Sequence, residues 1–305
     1  MSFNQYTWDL YKQTTIGIEM IKYFSDAGGY VLFKDYCPYA NFIPEDLYND
    51  WLENIYCYGV SDYDHPSLLE EAKDLYISLI TLGIRVEGQQ WLPANDFKNM
   101  LGIIQPMSYV LSQFAPEYFF PYLFLCRIFE LNKIADFFNI DLPNIPKRTD
   151  YKGRCMYYWE LCEVFYLFRK ENGLSPADLW SFLYDFAPNN LPSEKIDMPK
   201  PSQVWFIGGR LYQEDKSLES KFWQSSPETK KGDILVHYET SPISAITCIE
   251  ISLTDGVIDP LFRYYGCIYI GNRINIPHIT VKELQTDEYF FKHPLVRKNF
   301  QGVNG

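Results

Sequence analysis

Long apolar runs are missing from this sequence. No uninterrupted stretch of about 18 apolar residues occurs, so no segment reads as a membrane-spanning helix. The opening residues, MSFNQYTWDLYKQTT, lack the basic-then-apolar order of a secretory signal. Cysteine is present at 7 positions but follows no pattern. The count is odd, the spacing irregular and no CxxC pair occurs, which argues against a disulfide framework or a zinc site. A reducing, cytoplasmic setting and no membrane partner are expected. Histidine is scarce, with only His65, His237, His278 and His293, and none stands in an HExxH or H-x-E…CxxC frame. G-x-S-x-G and GxxxxGK[ST] are absent too. With no local catalytic motif, no enzyme active site, metal or cofactor is expected.

Aromatic residues are abundant: 25 Tyr, 22 Phe and 7 Trp make up 18% of the chain. Each buries a large area, so core material is plentiful and any single aromatic is a weak sign of a binding site. A length of 305 residues favours two domains. The net charge of −12 is unevenly placed. Residues 200–305 hold 12 basic and 12 acidic side chains, whereas residues 1–199 hold 15 and 27. The acidic N-terminal part is a poor partner for a phosphate backbone and suits a protein partner better.

Residues 1–195 read as an all-α, acidic bundle. The spacing predicts helices over 6–29, closed by Gly28-Gly29, after Pro44, and from Pro66 to Gly83. A further helix is expected around 95–114, interrupted at Pro106. EYFFPYLFLCRIFELNKIADFFNI, residues 117–140, is apolar on most faces and predicts the central helix of the bundle. PKRTDYKGR follows as a basic loop, with Lys147, Arg148, Lys152 and Arg154 as solvated charges or, less favoured, a phosphate or partner contact. A helix then ends at Gly173, and the last is capped by Ser175 with Pro176 at its first position. Residues 196–202 read as a linker.

From 203 to 305 the period changes to two. VWFIGGR, DILVHYE, ISAITCIEISL and RYYGCIYIGNRI read as strands, SLESKFWQSS as a short helix or turn, and TVKELQTDEYF as a helix capped by Thr280. Trp205 stands on the first strand, Phe222-Trp223 follow, Gly232-Asp233 introduce an apolar strand, and that strand ends at Tyr238-Glu239-Thr240-Ser241. HPLVRKNFQG closes the segment. This order resembles the EVE domains of the PUA-like group, related to YTH and ASCH domains, over residues 203–305 only. The resemblance implies an open β-barrel, hence an α+β chain of two domains. It also implies recognition of a modified base, such as a methylated one, in nucleic acid.

The implied pocket is an aromatic cage of Trp205, Trp223 and Tyr238 with Ser241 and Asp233. Arg210, Lys230, Lys231 and Arg263 stand as phosphate contacts. A base flipped from a duplex needs stacking and edge hydrogen bonds, and stacking on one aromatic is worth roughly 1–3 kcal/mol. A cage of this kind requires Trp205, Trp223 and Tyr238 to converge on one cavity. Each residue has a plainer reading beside it: Trp205 as core, Tyr238 as a cap on the barrel, Asp233 as a turn former, the cations as solubilising charge. Restriction or phage defence is the setting the resemblance suggests, with DNA favoured. RNA binding is one alternative. A nuclease or nucleotide-processing enzyme with scattered acids in the helical domain is another, and a scaffold with a dead pocket is a third.

Overall fold

The structure is a computed structural model, and the residues it describes are 3–37, 40–86, 89–125, 127–191, 198–209, 221–262 and 266–301. Helices dominate the N-terminal part and a barrel-like sheet the C-terminal part. The chain separates into two compact units: Met1–Ser193 with Pro260–Tyr264, and Glu194–Asp259 with Tyr265–Gly305.

In the first unit the helix expected over 6–29 is broken. Helix α1 spans Gln5–Gln13, α2 spans Thr15–Asp26 and α3 spans Gly29–Tyr36. Thr14 makes the first break: its backbone is extended and its hydroxyl accepts from Gly17 N at 2.9 Å, capping α2. Gly28 opens α3 as its N-cap instead of closing the helix before it. Helix α4, Glu45–Ile55, follows Pro44 with Glu45 and Asp46 in its first turn and runs on into a π-helical turn, Tyr56–Val60. Helix α5, Leu69–Leu82, stops at Gly83, whose φ of +77° suits glycine. Contrary to the all-α expectation, an antiparallel hairpin, β1 at Ile84–Val86 and β2 at Gln89–Leu92, follows the glycine stop at Gly83 and precedes α6 at Phe97–Met100 and α7 at Ile104–Phe114. Pro106 lies in the first turn of α7, where no backbone donor is needed, so the interruption falls before it.

The largest departure from expectation lies at 117–140. Among the described residues there, only Ile128–Phe138 (α8) is helical. Phe119, Phe120, Tyr122, Leu123 and Phe124 are buried in irregular backbone. Pro121 denies a helix its hydrogen bond there, and side chains satisfy the exposed backbone groups instead. Ser108 Oγ accepts from Tyr122 N at 2.8 Å, and Tyr158 donates its hydroxyl to Phe120 O at 2.7 Å. Tyr184 donates to Pro121 O. The long helix at the heart of this unit is α9, Tyr151–Glu171, which buries Tyr157, Tyr158, Trp159, Leu161 and Phe165. Helix α10, Pro176–Ser181, has the expected cap, Ser175 with Asp178, and passes through a π-helical turn into α11, Ala187–Asn190. Within the basic stretch, Lys147, Arg148 and Lys152 are exposed. Arg154 is not a solvated charge: it is buried in α9 and donates to Pro260 O at 2.8 Å and Phe262 O at 3.3 Å.

The second unit is built on strands β3 (Val204–Gly209), β4 (Lys221–Ser225), β5 (Ile234–Glu239), β6 (Ala245–Ser252), β7 (Val257–Ile258) and β8 (Gly266–Thr280). Five of them form the path β3-β5-β6-β8-β4, and β7 pairs with β8 off that path. The β3–β5 pair is parallel and the others are antiparallel, so the sheet is mixed. Its two end strands come together. A Cβ added to Gly209 at the end of β3 would lie 2.6 Å from Cζ2 of Trp223 on β4, which leaves the sheet nearly closed. Trp223 therefore stands on a strand, where a helix or turn was expected; its pairing with Ile268 of β8 puts it there. Thr280 caps α12, Val281–Thr286, as expected, through a reciprocal bond with Glu283. Within the closing HPLVRKNFQG, Pro294–Arg297 forms a helical turn, α13.

Candidate functional site

Strand register decides which side chains meet. Trp205 pairs with Leu235, and His237 lies two residues further along the same face of β5. Leu235 pairs with Glu250 and His237 with Cys248 across β6, while Trp223 pairs with Ile268 across β8. These residues share the inner face. Ile207, Leu235, Ile268 and Ile270 form its apolar cluster, and the half-buried Trp205 and Trp223 pack against it. Two of the three aromatics expected in the cage therefore meet at one cluster.

Tyr238 does not join them. It occupies the opposite face of β5, buried with Ile246, Leu284, Val296 and Phe300, and stacks on Phe300 with ring centres 4.4 Å apart and planes 8° apart. The side-chain period of two leaves no freedom here: with Trp205 facing in, Phe206, Val236 and Tyr238 face out. Trp205, Trp223 and Tyr238 thus do not converge on one cavity. Ser241 lies in the exposed turn after β5.

Asp233 is completely buried and saturated with donors. Its Oδ1 accepts from Ser202 N (2.9 Å), Ser202 Oγ (2.7 Å) and Gln203 N (3.0 Å), and its Oδ2 from Trp205 Nε1 (2.9 Å) and Lys230 N (2.9 Å). Burial pushes this carboxyl up, but the donated hydrogen bonds outweigh it and hold the group well below its ordinary value. The carboxylate is a staple that ties the start of β3 to the turn before β5 and fixes the Trp205 indole. Gly232 provides the turn, with φ +92° and the Pro199 carbonyl too close for any side chain.

The proposed phosphate contacts fare unevenly. Lys230 is exposed and its Nζ lies 3.4 Å from Asp255 Oδ2, while Lys231 N donates to Asp255 Oδ1 at 2.8 Å. Arg210 and Arg263 fall outside the described residues.

Sequence reasoning missed the polar end of the inner face. His237, Cys248 and Glu250 are 0%, 0% and 2% exposed. The Trp223 ring meets the His237 ring edge to face at 4.6 Å. Nδ1 of His237 lies 3.4 Å from Glu250 Oε2, an ion-pair distance, and among the described residues neither imidazole nitrogen nor Oε2 has a closer, well-formed hydrogen bond. Arg273 Nε donates to Glu250 Oε1 at 2.9 Å. Burial raises the Glu250 carboxyl, and His237 with Arg273 more than offsets that, keeping it below its ordinary value. Burial pushes the Cys248 thiol up. The only advance signal was Cys248 and Glu250 two apart on one strand. His237 joins them through strand pairing, which no spacing along the chain reveals.

In the helical unit, a cleft of about 390 Å³ is lined by residues that include Leu52, Tyr56, His65, Tyr109 and Phe114. His65 stacks on Phe114 with ring centres 4.1 Å apart. The buried thiols of Cys155 and Cys162 are pushed up to about 12 by desolvation, which makes them inert as nucleophiles. Among the described residues, the one group of three His, Cys, Asp or Glu donors close enough to share an ion is His237, Cys248 and Glu250.

No protein-family model matches the sequence, no curated protein matches it, and no solved structure matches its fold.

Proposed function

We propose that the chain is a two-domain nucleic-acid reader, with a helical domain over 1–195 and a PUA-like, EVE-type domain over 203–305. The C-terminal domain takes up a single base against Trp205 and Trp223. A modified base in DNA is the first candidate, and restriction or phage defence is the setting that the family resemblance suggests. The helical domain serves a protein partner, in keeping with its acidity.

The observation that carries this reading is the pairing of two half-buried tryptophans at one cluster, on the two end strands of the sheet. Half-buried indoles at a seam pack one part of the ring on the core and leave another part open as a stacking surface. Each is also held in place: Trp205 by its hydrogen bond to Asp233, Trp223 by the absence of a side chain at Gly209. Preorganised aromatics lose little freedom when a flat ring stacks on them. Tyr238 and Ser241 have no part in this smaller site, and Asp233 serves it only by holding the Trp205 indole.

A binding panel tests the reading. Duplex and single-stranded DNA and RNA oligonucleotides are compared, each with one unmodified or modified base. The expected result is preference for at least one modified DNA. Trp223→Ala is expected to weaken it roughly tenfold to a hundredfold, as loss of one stacking partner implies. Equal binding of all oligonucleotides, or none, refutes it, and preference for RNA moves the proposal to the RNA-binding alternative.

A further inference from the structure

The inner face of the sheet carries a second set of groups that base stacking does not use. Among the described residues, a buried imidazole with no well-formed hydrogen bond on either nitrogen, and a buried carboxylate oxygen met only by Nδ1 of that imidazole at 3.4 Å, are costly to leave so. We propose that His237, Cys248 and Glu250 form a binding site for a divalent transition-metal ion, zinc first.

Geometry and donor chemistry carry the assignment. At zinc bond lengths of about 2.1 Å and a tetrahedral angle, a nitrogen and an oxygen on one ion stand about 3.4 Å apart. Nδ1 of His237 and Oε2 of Glu250 are 3.4 Å apart. All three donor atoms lie within 4.8 Å of one another. A nitrogen and a sulfur on one zinc stand about 3.6 Å apart, so from within 4.8 Å the sulfur has at most about 1.2 Å to travel. A nitrogen, sulfur and oxygen set suits zinc and excludes magnesium and calcium, which take oxygen ligands. Arg273, bonded to the other carboxylate oxygen, aims Oε2 at His237 and acts as a positioning residue.

Binding is an exchange of charge. Neutral His237 gives a nitrogen lone pair, Glu250 gives its carboxylate, and Cys248 loses its thiol proton to solvent as sulfur bonds the ion. Three protein donors leave one tetrahedral position for a ligand from outside the chain. Proton release makes affinity fall as pH falls. The site does not depend on the base-binding reading, because its readout is the metal itself.

The test uses the whole 305-residue chain, stripped with chelator, reloaded with zinc chloride and freed of excess ion. Elemental analysis is expected to find about one zinc per chain. Cobalt chloride in place of zinc is expected to produce a thiolate-to-cobalt charge-transfer band and the intense visible absorption of a tetrahedral ion. Cys248→Ser is expected to abolish the charge-transfer band, and Glu250→Gln to weaken zinc binding at least about tenfold. Cys57→Ser, which removes an exposed thiol, is expected to change neither. The unmutated protein's cobalt spectrum stands even if a variant fails to fold. No stoichiometric zinc, an octahedral cobalt spectrum without the sulfur band, or a band lost with Cys57→Ser overturns the site.

Discussion

Asp233 accepts five hydrogen bonds while fully buried. Its replacement by alanine strands several donors, each at a cost of about 1–3 kcal/mol. Asp233→Ala is therefore expected to destabilise the C-terminal unit by at least about 3 kcal/mol in urea denaturation. The folded carboxyl titrates below the unfolded value of 3.8, so its stabilisation is complete above that pH and is lost as pH falls through the folded value. Unfolding followed down from neutral pH is expected to show stability falling once pH drops below about 4. Asp233→Asn, with no charge to lose, should start lower and flatten that slope. The Gly-Asp turn was legible in the sequence. That its carboxylate faces inward to a tryptophan 28 residues earlier was not, because the partner is set by the parallel pairing of β3 and β5.

Elements depended on the same distinction between local and distant causes. The caps at Ser175 and Thr280 and the strands β3, β5, β6 and β8 followed from chain-local patterns, since a capping box or an alternating apolar run is written in consecutive residues, whereas β4 and β7 did not. Tyr238 and Trp223 followed from none: the first depends on register, the second on pairing with β8. The buried segment Phe119–Phe124 is the clearest failure of pattern reading. Its apolar run resembles a buried helix, yet Pro121 and three distant hydroxyls hold it irregular. Tyr158→Phe removes only the hydroxyl that meets Phe120 O. A loss of about 1–3 kcal/mol is expected, measured by chemical denaturation of the full chain. A neutral effect would mean that the carbonyl has another donor. At the seam of the sheet, Gly209→Ala drives a methyl into the Trp223 indole. It is expected to weaken base binding several-fold while the helical unit melts unchanged, read by titration and by circular dichroism.

Across the whole molecule, charge and aromatics are divided. The C-terminal part balances 12 basic against 12 acidic residues, and Lys230 already faces Asp255. With no net positive charge to draw in a phosphate backbone, most of the affinity must come from the base. The logarithm of the binding constant against that of salt concentration is expected to have a slope no steeper than about −3, as for some three neutralised phosphates. A steep slope would point to backbone binding by a surface not considered above. The most direct measurement of base stacking at Trp205 and Trp223 uses fluorine NMR of protein labelled with fluorotryptophan. The chain holds 7 tryptophans, and single Trp→Phe variants assign their signals. Titration with the preferred oligonucleotide should shift the resonances of Trp205 and Trp223 and leave those of the helical unit in place. Binding that leaves both resonances unmoved would contradict the account.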